Sequence, residues 1–194
     1  SQGGAGGQSP DSPSVKGSPP PSPPPDTSPP GFSFSIKECN EKSFSSDGCV
    51  VAPQLLNLSW SSSANDLDVY TISCSTDGAS CAGFAASPTA TSTTYTVADQ
   101  QTYTFTGFAK DKAGNTSTTT SITVEVWNRP VVINEIAWRG TSANNPFDEW
   151  LELKNNTSKA IDLSQWVLYS ETDLGPYLLF AKAANKIIPA NGYY

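Results

Sequence analysis

The chain has 194 residues, 37% of them apolar, with a net charge of −7 and neither His nor Met. That is length for one large or two small domains. The missing His removes the commonest general base and metal ligand, so a Ser/His/Asp or Cys/His catalytic set is excluded. The net charge divides as −1 for 1–31, −5 for 32–128 and −1 for 129–194. No part is basic, so nucleic acid is not an expected partner.

A chain without Met is expected to be a processed product or a cut fragment. It holds no apolar run of about 18 residues, so any membrane or wall tether would lie outside it. No Gly-rich phosphate loop is present, and no cofactor is expected.

Residues 1–31 contain ten Pro, six Gly and seven Ser. Such a segment buries too little surface to offset its ordering entropy, and is expected to be a disordered linker. Gly3 to Gly7 should be flexible, and Pro19 to Pro25 a stiff polyproline II rod. A spacer fits this composition better than a ligand for proline-recognising domains, which are mostly intracellular.

The four Cys, Cys39, Cys49, Cys74 and Cys81, form two close pairs in the middle of the chain. There is no Cys-x-x-Cys, and no His to complete a zinc site. The spacing reads as disulfides Cys39–Cys49 and Cys74–Cys81, although spacing alone leaves other connectivities open. Each would staple a local loop and add about 2–3 kcal/mol. Four unpaired buried thiols are disfavoured by the turn-like Ser, Asp and Gly around them. Disulfides imply a secreted or cell-surface location.

Residues 32–128 hold six short runs that alternate apolar with polar: Phe32–Ile36, Leu56–Trp60, Leu67–Ile72, Thr94–Val97, Tyr103–Phe108 and Ser121–Val126. No amphipathic helical pattern interrupts them. The spacing predicts an antiparallel sandwich with one wet face per sheet. Trp60, Tyr103 and the run Phe108-Ala109-Lys110-Asp111-Lys112-Ala113-Gly114-Asn115-Thr116 resemble a fibronectin type III or bacterial immunoglobulin-like module. The resemblance implies a core role for Trp60 and a hairpin turn at Gly114-Asn115, where positive φ is needed. Both Cys pairs depart from the type III pattern. Asp111 and Asn115 offer two oxygens to a cation, short of the six to eight calcium takes, and turn chemistry accounts for them. Asn57, Asn115 and Asn156 begin glycosylation-type triplets, which arise by chance in a Ser/Thr/Asn-rich chain.

Residues 129–194 again read as all-β, with runs at Val131–Trp138, Glu149–Leu153, Ile161–Tyr169, Tyr177–Phe180 and Lys186–Tyr194. The blocks Ile133-Asn134-Glu135-Ile136, Asp148-Glu149-Trp150-Leu151-Glu152-Leu153, Asn155-Asn156-Thr157, Ile161-Asp162-Leu163-Ser164-Gln165-Trp166 and Ile188-Pro189-Ala190-Asn191-Gly192-Tyr193 resemble the lamin tail domain, in that family's order. The resemblance implies a second immunoglobulin-like sandwich without catalysis of its own. The family continues past the Asn-Gly-Tyr block, so this module is expected to be incomplete at its C-terminal end, with an open edge and part of its core exposed.

Glu135, Asp148, Glu149, Glu152 and Asp162 are the carboxylates to test for catalysis or cation binding. Glu149 and Glu152, three apart on one strand, would point to opposite faces. Glu149 and Glu135 could meet across strands, as a glycosidase pair or a cation contact would require; solvent-facing framework roles account for them more simply. Trp138, Trp150 and Trp166 could line a carbohydrate strip, but core packing is expected for at least two of them. No catalytic or metal residue is assigned. The expected function is a non-enzymatic extracellular or cell-surface protein of bacterial type, serving adhesion, binding or spacing, with a protein or cell-wall carbohydrate ligand. The alternative is the non-catalytic region of a secreted nuclease or hydrolase. Nuclear lamin scaffolding is disfavoured by the paired Cys and the lack of heptads.

Overall fold

Strand alternation decides most of the architecture. The computed structural model describes residues 3–4, 20–137, 150–164, 166–168, 178–179 and 186–194. Among them the chain is all-β apart from one short helix. The first elements are β1 (Ser33–Ile36), α1 (Lys37–Glu41), β2 (Cys49–Val51), β3 (Leu55–Ser61), β4 (Leu67–Thr76), β5 (Ala79–Ser80), β6 (Ser92–Thr96), β7 (Gln101–Asp111) and β8 (Thr120–Val126).

They form a three-stranded sheet, β1-β3-β6, and a five-stranded sheet, β2-β8-β7-β4-β5. In β3, Leu56, Leu58 and Trp60 are buried while Leu55, Asn57 and Ser59 are exposed. In β7, Tyr103, Phe105 and Ala109 turn inward from the other sheet. These two inner faces meet in one core, joined by Tyr70, Cys74, Val124 and Val126. Trp60 donates its indole N–H to Ala90 O at 2.7 Å, which satisfies its one polar atom.

Four expectations for this part change. The segment after β1 is a five-residue helix, too short to show a period, held by the buried Glu38 carboxylate that accepts from Asn57 N and Nδ2. A strand missed in the sequence, β2, pairs in parallel with β8, so the sheet is not wholly antiparallel. The end of β8 lacks a wet face: Val124, Glu125 and Val126 are all buried. In the β7–β8 turn only Gly114 takes positive φ (96°), whereas Asn115 does not and instead donates N–H and Nδ2 to Asp111. The Pro-rich segment also touches the body before residue 31, because Pro30 is buried and Asp26 O accepts from Asn115 Nδ2.

The remaining strands are β9 (Val131–Ala137), β10 (Trp150–Asn155), β11 (Ile161–Asp162), β12 (Val167–Leu168), β13 (Leu178–Leu179) and β14 (Ile187–Ile188). They pair antiparallel as β9-β10, β11-β14 and β12-β13. The single run expected over Ile161–Tyr169 is divided. Ser164 N turns back to Asp162 Oδ1, and Trp166 N to Leu163 O, between β11 and β12. Gly192 and Tyr194 bond the outer edge of β10 at Asn155 and Leu153. Ile133 and Ile136 on β9 are 49% and 57% exposed.

The two groups of sheets share a second core. Leu153, Ile161, Leu163 and Ile188 bury themselves against Val50 of β2, with Phe44, Trp127 and Trp166 packed around them. Strand period explains the sharing. Cys49 and Val51 face the first core, so Val50, between them, faces the other way. Its register neighbour on β8 is Glu125, whose carboxylate accepts from both Ser158 N and Ser158 Oγ. The loop before β2 grips the same region. The Ser45 hydroxyl holds the Asp47 carboxyl below its ordinary value, helped by the Ala160 backbone N–H and the Lys159 charge.

Candidate functional site

The joint between the two groups of sheets contains a cleft built by three turns. The first is Asp99-Gln100, before β7. Gln100 sits at φ 58°, a left-handed conformation uncommon for Gln, and is held there by N–H bonds to Val126 O (2.8 Å) and Asp99 Oδ1 (3.0 Å). The second is Trp127–Pro130. Trp127 N donates to Val51 O at 2.9 Å, and Asn128 N to Asp99 Oδ1 at 2.7 Å. The third carries Asn156, whose N–H donates to Pro130 O at 2.8 Å. Together with Val132 these residues line an open cleft of about 330 Å³. The Gln100, Asn128 and Asn156 side-chain amides, the Trp127 indole N–H and the Arg129 guanidinium have no hydrogen-bond or ion-pair partner among the described residues.

No family model matches this chain, and no curated protein or solved structure matches it either.

The four Cys form the disulfides Cys39–Cys49 and Cys74–Cys81, and no Cys is free. Their roles differ. Cys74–Cys81 closes the β4–β5 edge, while Cys39–Cys49 ties α1 to β2 and hence to both cores.

Asp111 is joined by Asp66 and Asp26, one carboxylate oxygen of each lying within 4.8 Å of the others. Three carboxylates supply half or less of a calcium shell. Both oxygens of the buried Asp111 already accept from Asn115. Burial pushes the Asp111 carboxyl up, but the Asn115 side-chain amide and the Asn115, Gly114 and Ala113 backbone N–H groups hold it below the ordinary value. Glu38 behaves alike: burial raises it, and the Asn57 backbone and side-chain amides bring it below the ordinary value. A carboxyl with a lowered folded pKa adds stability above the unfolded pKa of about 4 and loses it as pH falls through the folded value. Glu38→Gln combined with Asp111→Asn should therefore flatten the fall in unfolding free energy below about pH 4. An unchanged slope in urea unfolding at stepped pH would show that these bonds do not form.

Of the other expected residues, Glu135 and Glu152 are direct register partners on β9 and β10. Asn134, the extra residue at the bulge beside them, donates Nδ2 to Glu152 at 2.6 Å. Asp148, Glu149 and Trp138 lie outside the described residues, and with them the Glu135–Glu149 meeting. Asp162 is exposed and caps its own turn. Core packing holds for Trp166, which meets Phe44 edge-on at 6.1 Å, but Trp150 is 41% exposed.

Of the three glycosylation-type asparagines, Asn57 is mid-strand with its amide on Glu38, and the Asn115 amide is taken by Asp111 and Asp26. Asn156 lines the cleft. No residue pattern marks Asp99, Gln100, Trp127, Asn128 or Arg129 as a site. The nearest signal is the run Trp127-Asn128-Arg129 directly after the last strand of the first region.

Proposed function

We propose that this chain is a non-catalytic, extracellular or cell-surface part of a bacterial-type modular protein that binds and holds a ligand at a set distance. Residues 32–128 would be a fibronectin type III or immunoglobulin-like module, and 129–194 part of a lamin tail-like module, carried on the Pro-rich segment. The observation that carries the reading is the shared core at the joint. Val50 and Trp127 from one side pack with Leu153, Ile161 and Leu163 from the other. A packed, hydrogen-bonded joint makes a stiff spacer and keeps the cleft between the modules in one shape. Two disulfides support an oxidising location. No helix among the described residues is long and apolar enough to cross a membrane.

The test is an assay of the purified chain on nucleic acid and polysaccharide substrates, with no turnover expected. Reproducible turnover, lost on Glu135→Gln or Glu152→Gln, would overturn the non-catalytic reading.

A further inference from the structure

We propose that the cleft at the joint binds a saccharide bearing a carboxylate, of the uronic-acid class. The inference rests on the reading of this chain as a binding module and names its ligand.

The chemistry of the lining selects the class. A sugar hydroxyl both donates and accepts, and a carboxamide does the same from one group. Three carboxamides, Gln100, Asn128 and Asn156, line this one cleft. All three lack a partner among the described residues. Trp127 adds an aromatic surface and an indole N–H, the pairing that suits the apolar face and polar rim of a pyranose ring. Val132 is the one aliphatic side chain of the lining, so a peptide would find no pocket for an apolar side chain. The volume of about 330 Å³ lies at the small end of ligand sites, the size of one or two sugar rings.

Arg129 narrows the class from neutral to acidic sugars. Its guanidinium is exposed and has no carboxylate within salt-bridge distance; the one ion pair among the described residues is Lys37–Glu41. Asp99 lines the cleft too, but its Oδ1 already accepts from the Gln100 and Asn128 N–H groups. That oxygen is thus part of the frame, and the Arg129 guanidinium remains to take a ligand carboxylate in a two-bond fork. The frame is also set in advance. The Gln100 backbone N–H is held by Val126 O and Asp99 Oδ1, and the Asn156 backbone N–H by Pro130 O, so the turns that carry the side chains are fixed. Backbone fixed this way loses little further freedom on binding.

The experiment is a titration of the ¹⁵N-labelled full chain with trigalacturonate, with a hyaluronan tetrasaccharide and with neutral cellotetraose, following the Trp127 indole N–H resonance. Saturable shifts are expected with an acidic sugar, with Kd of about 1 mM or tighter. Arg129→Gln is exposed and should fold normally, yet weaken that binding about tenfold. Asn156→Ala should weaken it as well. No saturable shift with any of the three sugars would overturn the proposal. So would binding that both variants leave unchanged, equal affinity for cellotetraose, or preference for the peptide acetyl-Ala-Ala-Ala. Cleavage of an added sugar would instead contradict the non-catalytic reading, so the two failures are distinguishable.

Discussion

Asn155→Ala is expected to destabilise the protein by at least about 3 kcal/mol, since each buried polar group left without a partner costs about 1–3 kcal/mol. The Asn155 side chain is fully buried. Its Nδ2 donates to Lys159 O at 2.7 Å, to Pro189 O at 3.0 Å and, shared, to Ile188 O at 3.3 Å. Its Oδ1 accepts from Thr157 N at 2.9 Å. One amide thus fastens the 155–159 turn to the segment after β14. The Lys159 carbonyl would keep the Thr157 hydroxyl and Pro189 O the Gly192 N–H, but Ile188 O and Thr157 N would each lose a bond. Asn155→Asp should do no better. It retains the acceptor but puts a carboxylate where carbonyl oxygens converge. Urea unfolding followed by Trp fluorescence measures this, and a loss under about 1 kcal/mol would contradict the role assigned to Asn155.

Replacing Cys39 and Cys49 together by Ala should cost about 2–3 kcal/mol from loop entropy. The cost should fall on both groups of sheets. Cys49 begins β2, and β2 supplies Cys49 and Val51 to one core and Val50 to the other. Removing Cys74 and Cys81 opens a loop of similar size, with sequence separation 7 against 10, so the entropic cost should be comparable. The location differs, because Cys74–Cys81 restrains the β4–β5 edge. Only the first pair should speed amide exchange in β10. Equal effects of the two pairs on β10 would show that β2 does not couple the two cores.

The strands that stand alone in the sequence are those that alternate over five or more residues. β3, β4, β7 and β8 each bury one face against the first core, so their period of two survives in the residues. β2 was hidden because three residues cannot show a period, and because all three are buried. The Cys39–Cys49 pairing was legible, but its meaning was not: a local staple in sequence is a tie between two cores in space. The same limit applies to the cleft. Asp99 and Gln100, Trp127 to Arg129, and Asn156 come from three separate turns, brought together by backbone bonds that leave no mark in composition. Asp111 and Asn115 form the turn that their residue types imply, but Asp26 and Asp66 arrive from distant segments. The fate of Glu125 follows from the joint. As a polar residue in an alternating strand it reads as solvent-facing, and it is buried because Ser158 covers it.

Strand β2 joins the two groups of sheets into one packed unit. Native-state hydrogen exchange of the Val50→Ala variant tests it most directly, read at Val126 in β8 and at Leu153 and Asn155 in β10. Val50 is fully buried in the second core, so truncation leaves a gap there. Protection is expected to fall at all three amides together. A loss confined to β10, or no loss in β10, would contradict it.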